Sequence, residues 1–320
     1  MKEKTFSLAV SPHIRSQETT AKIMWSVVIA LLPVSFMGIY LFGIHSLYII
    51  LVSIIAAIST EGLFQIITKR KIRIFDGSSV VTGILLALIL PSTVSLWIPA
   101  LGSFFAIFLV KELFGGLGHN IFNPALAARA ILLASFPLIM TSWVSPFDAI
   151  SCATPLAIVK ENLLSPLPSY FNLFIGTRSG CIGETSTLAV LLGATFLFLR
   201  RIISWHIPVT FMATVALFSL GAGKDPLFQV LSGGLILGAF FMATDYTTSP
   251  ITKKGQIMFG FGCGVITSLI RFWGGYPEGV CYSILLMNCL VPLIDRYTLP
   301  KRFGEKQPRI SRIVRIKDKK

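Results

Sequence analysis

The residues best suited to chemistry lie in a polar turn of small residues, Asp148 to Leu156, which separates two blocks of long apolar segments. Pro155 fits the first turn of a helix because its missing N–H would be unpaired there, so Thr154 is predicted to be the N-cap residue. Its hydroxyl would then lie beside unpaired backbone N–H groups, a setting that suits a phosphate group. An ordinary capped loop without a ligand is the alternative, and the rest of the chain bears on the choice.

Four acidic residues lie in or beside apolar segments, where a charge is costly and functional candidates are expected. Glu61 is inside the second apolar segment, Asp76 and Asp245 stand at segment ends, and Glu278 precedes a late apolar segment. These acids are candidates for ion passage or partner contact. For Glu61 the alternative is that its side chain reaches toward the membrane surface or pairs with Lys69.

Histidine and cysteine do not indicate a metal centre, and none is predicted. The five cysteines show no Cys-x-x-Cys spacing and are predicted to be small buried residues, although Cys152 and Cys181 could face each other across one loop. The four histidines are scattered. The sequence also has no dinucleotide-binding fingerprint after a strand and no ligand set for an iron–sulfur cluster.

Composition places these residues in a membrane protein. The chain has 320 residues, of which 54% are hydrophobic and 13% charged, and its mean hydropathy is +0.77. An ordinary soluble domain has about twice that charged share. Residues 1–20 are polar with scattered charges and show no cleavable signal, so the first apolar run is predicted to stay as an anchor.

We predict an all-α polytopic fold with ten membrane-spanning segments, several of them shorter than the roughly 20 residues of a straight span. The segments are 23–42, 47–67, 79–90, 96–110, 125–140, 187–199, 204–221, 228–243, 256–270 and 279–294.

Most of the 28 basic residues fall on one side of this topology, which predicts cytoplasmic amino and carboxyl termini. The net charge of +14 is then explained by orientation and by contact with anionic lipid, without nucleic-acid binding. The same topology places the Thr154 turn outside, in the longest connection of the chain. The predicted parts are a cytoplasmic segment 1–22, a five-helix repeat 23–140, an outer loop 141–186, a second five-helix repeat 187–294 and a basic cytoplasmic tail 295–320.

A loose internal similarity suggests that the two halves are inverted repeats. Residues 81–91 and 231–241 share a hydroxyl residue, a glycine and an apolar run, and later in each half Pro124 and Pro277 are predicted to open another helix. Inverted repeats with broken helices are typical of transporter-like folds with a site near the middle of the membrane. Chance similarity between apolar segments is the alternative.

The turn also resembles a known attachment motif. Asp148, Ser151, Ala153 and Thr154 fit the pattern Asp-x-x-Ser/Thr-x-Ala-Thr, which is similar to the flavinylation motif of membrane subunits of the Rnf and sodium-pumping NADH:quinone oxidoreductase complexes. The resemblance implies that Thr154 carries FMN through a phosphodiester bond and that a flavin transferase recognises the other three residues. Cys152 departs from the pattern because glycine is common at that position.

Further landmarks extend the resemblance over nearly the whole chain and favour the D-type membrane subunits of the Rnf complex. They are Ser11-Pro-His13, Phe75-Asp-Gly-Ser78, Gly118-His-Asn-Ile-Phe-Asn-Pro-Ala125, Gly183-Glu-Thr-Ser-Thr-Leu-Ala189, Ala243-Thr-Asp245 with Ser249-Pro250, and Tyr276-Pro-Glu-Gly279 with Leu285-Leu-Met-Asn288. The resemblance implies an electron-transfer subunit of a ferredoxin:NAD oxidoreductase that exports Na⁺ or H⁺ and works only with the other Rnf subunits. It leaves open a second, non-covalent flavin.

A cluster of polar residues follows the turn and is predicted to line the flavin or its ribityl chain. Glu184, Thr185 and Ser186 are expected to do so at the start of the sixth span, while helix capping is the alternative for Thr185. The competing function is a solute channel or transporter with the same inverted repeat and no redox cofactor.

Overall fold

The computed structural model describes residues 18–148 and 150–300. In this part of the chain the structure is helical, with two isolated β-bridges and no strand. The Ser11-Pro-His13 landmark, residues 1–17 of segment 1–22 and the tail from residue 301 onward lie outside the described residues. The described helices are α1 (Thr20–Phe42), α2 (Ile44–Ile67), α3 (Ser78–Leu88), α4 (Trp97–Phe105), α5 (Pro124–Ser135), α6 (Pro137–Met140), α7 (Pro155–Glu161), α8 (Tyr170–Ile175), α9 (Thr187–Leu199), α10 (His206–Gly221), α11 (Pro226–Leu231), α12 (Leu235–Leu237), α13 (Lys253–Trp273) and α14 (Val280–Thr298).

Two of these helices continue with wider turns. Helix α4 runs on as a π-helix over Ala106–Glu112, and α12 runs on as a π-helix over Gly238–Met242. A short 3-10 turn, Ile74–Asp76, precedes α3. Such π-helical turns are frequent at functional sites, so both are of interest for the placement of side chains.

Four helices are long and apolar enough to cross a membrane: α1, α2, α13 and α14. Four more, α3, α5, α9 and α10, are apolar but shorter. The prediction of an all-α multi-pass membrane protein is confirmed, as is the shortness of several segments. The eleven residues of α3 extend about 16 Å, roughly half of a bilayer core of about 30 Å.

The end of α3 is closed inside the protein by a second irregular segment. The Leu88 carbonyl accepts a hydrogen bond from the Gly183 N–H at 2.7 Å, and the Leu90 carbonyl accepts one from the Ile182 N–H at 3.1 Å. A Cβ atom on Gly183 would lie 2.6 Å from the Leu88 Cβ, so this approach requires glycine. Irregular backbone at membrane depth is stable only when its polar groups are satisfied within the protein, as they are here.

Small and hydroxyl residues hold the helices together. A Cβ atom on Gly193 of α9 would lie 2.1 Å from the Ala30 carbonyl oxygen of α1, so the two helices touch through their backbones. The Ser53 hydroxyl donates to the Gly83 carbonyl at 2.8 Å and lies 2.8 Å from the Ser103 hydroxyl, which joins α2, α3 and α4. Close approach at small residues and interhelical hydrogen bonds are the usual means of helix association in membranes.

The predicted similarity between residues 81–91 and 231–241 does not correspond to similar local structure. Gly83 lies inside the continuous helix α3. Residues 232–234, by contrast, form a non-helical interruption between α11 and α12, with Gly233 at φ +68°. Pro124 does occupy the first turn of α5, as predicted, but Pro277 lies before α14, which begins at Val280.

Candidate functional site

The Thr154 turn has the predicted local structure. Thr154 is the N-cap of α7, with φ −70° and ψ 154°, and its hydroxyl accepts a hydrogen bond from the Ala157 N–H at 3.3 Å. Pro155 occupies the first position of the helix. The Thr154 side chain is buried, because only 3% of the residue is exposed.

Backbone hydrogen bonds fold the turn back on the preceding chain. The Cys152 N–H donates to the Trp143 carbonyl at 3.1 Å, and Val144 and Ser151 form an isolated bridge. Asp148 and Ser151 are exposed, whereas the Ala153 carbonyl accepts a 2.6 Å hydrogen bond from the Ser179 hydroxyl. The motif therefore has an outer half that a modifying enzyme could contact and an inner half packed against the protein.

The polar segment before α9 divides its residues between capping and the interior. Ser186 is the N-cap of α9, and its hydroxyl accepts from the Ala189 N–H at 3.3 Å. Thr185 is buried and does not act as the N-cap, and its hydroxyl has no hydrogen-bond partner among the described residues. Glu184 is also buried, and one of its carboxylate oxygens, Oε2, likewise has no partner there. Ser179, a few residues earlier in the chain, donates a hydrogen bond to the Ala153 carbonyl of the Thr154 turn.

A partly buried ion pair lies beside the segment that precedes α9. Arg129 of α5 donates from Nη2 to Glu278 Oε2 at 2.9 Å, and the two side chains are 12% and 17% exposed. The same Nη2 atom lies 3.5 Å from the Cys181 sulfur. Cys181 and Cys152 are both free thiols.

Two further arginines lie in the same interior region and are held by backbone carbonyls. Arg178 donates to the carbonyls of Glu184 and Thr185 at 2.6 and 3.1 Å. Arg271 donates to the carbonyls of Gln229 and Ser232 at 2.6 and 3.2 Å. Both side chains are buried. We call Arg129, Arg178, Arg271, Glu184 and Glu278 the interior charge cluster.

The Thr154 turn packs onto the interior charge cluster through the break between α11 and α12. A Cβ atom on Gly233 would lie 2.7 Å from the Leu156 side chain, 3.2 Å from Arg271 Nη2 and 3.9 Å from Glu278 Cγ. Lys160 of α7 reaches across to donate to the Tyr276 carbonyl at 2.6 Å, just before Glu278. Partial burial and the nearby positive charge of Lys224 lower the pKa of Lys160.

An open cavity of about 70 Å³ adjoins the interior charge cluster. Arg129 and Glu278 form its polar wall together with the Gly234 backbone. Three aromatic side chains, those of Trp143, Tyr276 and Tyr282, also line it. Cavities with aromatic walls and a few convergent polar groups are typical ligand sites.

Several buried polar atoms in this region have no hydrogen-bond partner among the described residues. Of the ten buried side-chain nitrogen and oxygen atoms that lack a hydrogen-bond partner in the described residues, five belong to this region. They are Glu184 Oε2, Thr185 Oγ1, Ser232 Oγ, Arg271 Nε and Glu278 Oε1. Unpaired buried polar groups are costly, so a bound polar group that supplies partners fits this place. The residues present are therefore compatible with a flavin, whose ring and ribityl chain carry donors and acceptors.

Glu61 forms a second ion pair, which is buried and is distant in sequence from the turn. Lys111 donates to Glu61 Oε1 at 2.8 Å and to the Ser78 hydroxyl at 2.7 Å, with both charged side chains no more than 3% exposed. The predicted alternative, a pair between Glu61 and Lys69, is wrong because Lys111 on the π-helix lies closer to the carboxylate. Within the described part of the chain the Glu61 Oε2 atom has no partner.

The other two acids at segment ends have local roles. Asp76 accepts hydrogen bonds from the Ser78 N–H and hydroxyl at 2.9 and 2.6 Å, at the start of α3. Asp245 accepts from the hydroxyls of Thr247 and Thr248 at 3.0 and 3.4 Å, after the second π-helix.

Sequence reasoning found the acids and the threonine but did not find the arginines. For Arg129, Arg178 and Arg271 the sequence indicates only charges at segment ends or in a loop. The available signal was their position in or next to apolar segments that contain few other charges, where an ionisable group usually has a partner. The partner of Arg129 is 149 positions away in sequence, which no local pattern indicates.

Comparison with known proteins places the chain in a family. Residues 7–304 match the sequence model of the NQR2, RnfD, RnfE family. The chain is 49% identical to the D subunit of the Na(+)-translocating ferredoxin:NAD(+) oxidoreductase complex of Acetobacterium woodii, over 95% of this chain and 97% of that protein. It is 46% identical to the D subunit of the proton-translocating ferredoxin:NAD(+) oxidoreductase complex of Clostridium ljungdahlii, over 96% and 98%.

A third relative is more distant but agrees. The chain is 41% identical to the D subunit of the ion-translocating oxidoreductase complex of Stutzerimonas stutzeri, over 88% of this chain and 92% of that protein. The match of the family sequence model and these identities extend over nearly the whole sequence. The chain therefore belongs to the NQR2, RnfD, RnfE family.

Proposed function

We propose that this chain is the D subunit of a membrane-bound ferredoxin:NAD oxidoreductase complex that couples electron transfer to the translocation of Na⁺ or H⁺. The observation that carries the proposal is the 49% identity to a D subunit of such a complex over 95% of the chain and 97% of the relative. The chain is an enzyme only as part of the complex. It transfers electrons between partners that oxidise ferredoxin and reduce NAD.

The proposed cofactor is FMN, attached by its phosphate to the Thr154 hydroxyl. The motif residues Asp148, Ser151 and Ala153 and the N-cap geometry of Thr154 support this attachment. When bound, FMN supplies one-electron acceptance and release, and the covalent bond fixes its distance from neighbouring redox centres. A flavin transferase is the partner required for maturation.

The burial of Thr154 bears on the order of these events. Its hydroxyl is turned toward the Ala157 N–H and the residue is 3% exposed. A transferase needs direct access to that oxygen, so the turn opens during modification or is modified before it packs. The proposal also has Glu184, Thr185 and Ser186 lining the flavin after modification; the hydrogen bond from Ser179, a few residues earlier in the chain, to the Ala153 carbonyl supports it.

The proposed topology has ten membrane spans arranged as two inverted five-helix repeats, with both termini in the cytoplasm. The distribution of lysine and arginine supports the orientation. Residues 141–186 would then form the extracytoplasmic loop that bears the flavin, between repeats 23–140 and 187–294. The proposed parts at the ends are the cytoplasmic segment 1–22 and the basic tail 295–320.

The proposed partners are the other subunits of the complex and membrane lipid. The sequence has no iron–sulfur ligand set and no dinucleotide fingerprint, so electrons must enter and leave through partners. The relatives' names specify Na⁺ in one case and protons in another. To identify the coupling ion of this chain, ferredoxin-driven NAD reduction in vesicles is measured with and without sodium.

Replacing Thr154 tests the covalent flavin. The full chain is produced with its flavin transferase, separated on a denaturing gel and examined for ultraviolet-excited fluorescence. Thr154→Val keeps the shape of the side chain and removes the acceptor oxygen, at a cost of about 1 kcal/mol for the lost cap. The fluorescent band should disappear. Thr195→Val, a change of the same kind at an exposed position on α9 outside the cavity, should leave it unchanged.

Two outcomes would contradict the proposal. A fluorescent band that persists in Thr154→Val would place the flavin elsewhere, and a wild-type chain without any band would favour a solute channel or transporter of similar fold. Flavin released from the native protein by acid, but absent from the denatured band, would identify a second, non-covalent flavin.

A further inference from the structure

The interior charge cluster carries an unbalanced charge. Three guanidinium groups and two carboxylates leave one formal positive charge among largely buried side chains. Each of the three arginines interacts electrostatically with both Glu184 and Glu278. Burying a net charge costs several kcal/mol per ion unless a counter-charge is present. The cluster is therefore suited to an anion, or to a group that becomes anionic.

The arginines differ in how they are held. Arg178 and Arg271 are directed at backbone carbonyls, so their positions are fixed by the segments 184–185 and 229–232. Arg129 has a carboxylate partner, Glu278, and together these two side chains face the cavity between the aromatic residues. Of the three arginines, Arg129 is the one whose charge can act directly on a group in that cavity.

The cavity lies within reach of the flavin-bearing turn. Trp143, one of its walls, is hydrogen-bonded to Cys152 of the turn, and Gly234, another, follows the glycine that packs against Leu156. A ring attached to Thr154 through a phosphate and a ribityl chain would lie across the open mouth of this cavity, which at about 70 Å³ does not enclose a three-ring flavin. Its aromatic surface would meet Trp143, Tyr276 or Tyr282.

We propose that Arg129 stabilises the negative charge that the FMN on Thr154 gains with one electron, and that Glu278 holds Arg129 in place and offsets its charge before that electron arrives. This inference rests on the proposed function. The electron comes from a one-electron donor, an iron–sulfur centre or flavin of a partner subunit, and the step neither makes nor breaks a bond nor takes up a proton. Arg129 is thus a positioning and tuning residue that sets the flavin potential.

Substitutions of the pair separate this role from a structural one. The full chain is produced with its flavin transferase as wild type and as Arg129→Gln, Arg129→Lys and Glu278→Gln. Glu161→Gln is the matched control, because it makes the same chemical change at an exposed position on α7, close to Thr154 in sequence. Flavin content is read from in-gel fluorescence, and the one-electron potential from an electrode-controlled optical titration.

The expected shifts have opposite signs for the two partners. Arg129→Gln should decrease the stability of the one-electron-reduced flavin, relative to that of the oxidised flavin, at least tenfold. A tenfold decrease lowers a one-electron potential by about 59 mV. Arg129→Lys should recover most of that shift because it restores the charge. Glu278→Gln should raise the potential, because it removes the negative charge that offsets Arg129. Glu161→Gln should leave the potential unchanged, since solvent screens an exposed charge.

Several results would overturn the inference. Flavin bound at wild-type level with an unchanged potential in Arg129→Gln would show that the arginine only packs. If Arg129→Gln does not accumulate, Glu278→Gln decides alone, and an unchanged or lowered potential in that variant refutes the proposal. If the wild-type chain carries no fluorescent flavin, the proposed function itself is refuted. The in-gel fluorescence shows this result before any potential is measured, so the two failures are distinguishable.

Discussion

The buried pair of Lys111 and Glu61 allows a test of the energetic reasoning. Lys111→Met removes the ammonium group that lies within hydrogen-bond distance of the Glu61 carboxylate and leaves the Ser78 hydroxyl without its 2.7 Å donor. Because both charged side chains are at most 3% exposed, solvent cannot replace the lost partner. Breaking such a pair from one side costs about 3–5 kcal/mol.

A nearby pair with one exposed partner supplies the control. Arg70 lies 3.7 Å from Glu112; the Arg70 side chain is 47% exposed and the Glu112 side chain is 3% exposed. Because water solvates the Arg70 guanidinium group and the separation is long for an ion pair, Arg70→Gln should cost no more than about 1 kcal/mol. The double variant Glu61→Gln/Lys111→Met removes both charges and should recover about 2 kcal/mol or more of the single variant's loss.

Thermal unfolding of the full chain in detergent, followed by size-exclusion chromatography with tryptophan fluorescence, ranks these variants. At roughly 2 °C per kcal/mol, Lys111→Met should lower the midpoint by about 6–10 °C. Arg70→Gln should lower it by no more than about 2 °C. A Lys111→Met midpoint equal to that of Arg70→Gln, or a double variant as unstable as the single one, would refute the claim that the pair is shielded from water.

Two further substitutions test the packing of the helices and of the flavin-bearing turn. Gly193→Ala should strongly lower the same thermal midpoint, because its Cβ would clash with the Ala30 carbonyl. Gly221→Ala, whose Cβ would have no atom within 4 Å, should be neutral or stabilising. Equal effects of the two substitutions would contradict the close contact of α1 and α9. Lys160→Gln should speed limited proteolysis of residues 162–169 by removing the 2.6 Å hydrogen bond to the Tyr276 carbonyl, and an unchanged cleavage rate would show that Lys160 does not anchor α7.

Features that depend on neighbouring residues could be predicted from the sequence. The N-cap role of Thr154 follows from a threonine directly before a proline, and the shortness of α3 follows from the apolar run that ends near Pro91. Both depend on local backbone chemistry. The start of α5 at Pro124 was predicted for the same reason.

Features that depend on distant pairing could not be predicted. Glu61 pairs with Lys111, 50 positions away, although Lys69 is nearer in sequence. Ser232, Gly233 and Gly234 lie inside the run 228–243 that is predicted as one span, and the conformation of Gly233 becomes understandable only when Leu156 and Arg271 are seen against it. Tertiary contacts decide such positions, and one sequence does not contain them in readable form.

Helix α3 connects the two charged regions of the protein. At its first residue the Ser78 hydroxyl accepts a hydrogen bond from the Lys111 ammonium group. At its last residue the Leu88 carbonyl accepts a hydrogen bond from the N–H of Gly183, which precedes Glu184. Most of the residues between them are buried, so the helix has little room to bend. A displacement of the segment around Glu184, where the flavin is proposed to change its charge, would therefore be passed along α3 to the Glu61 pair. Contact at both ends makes α3 the element through which the proposed coupling of electron transfer to ion movement would act within this subunit.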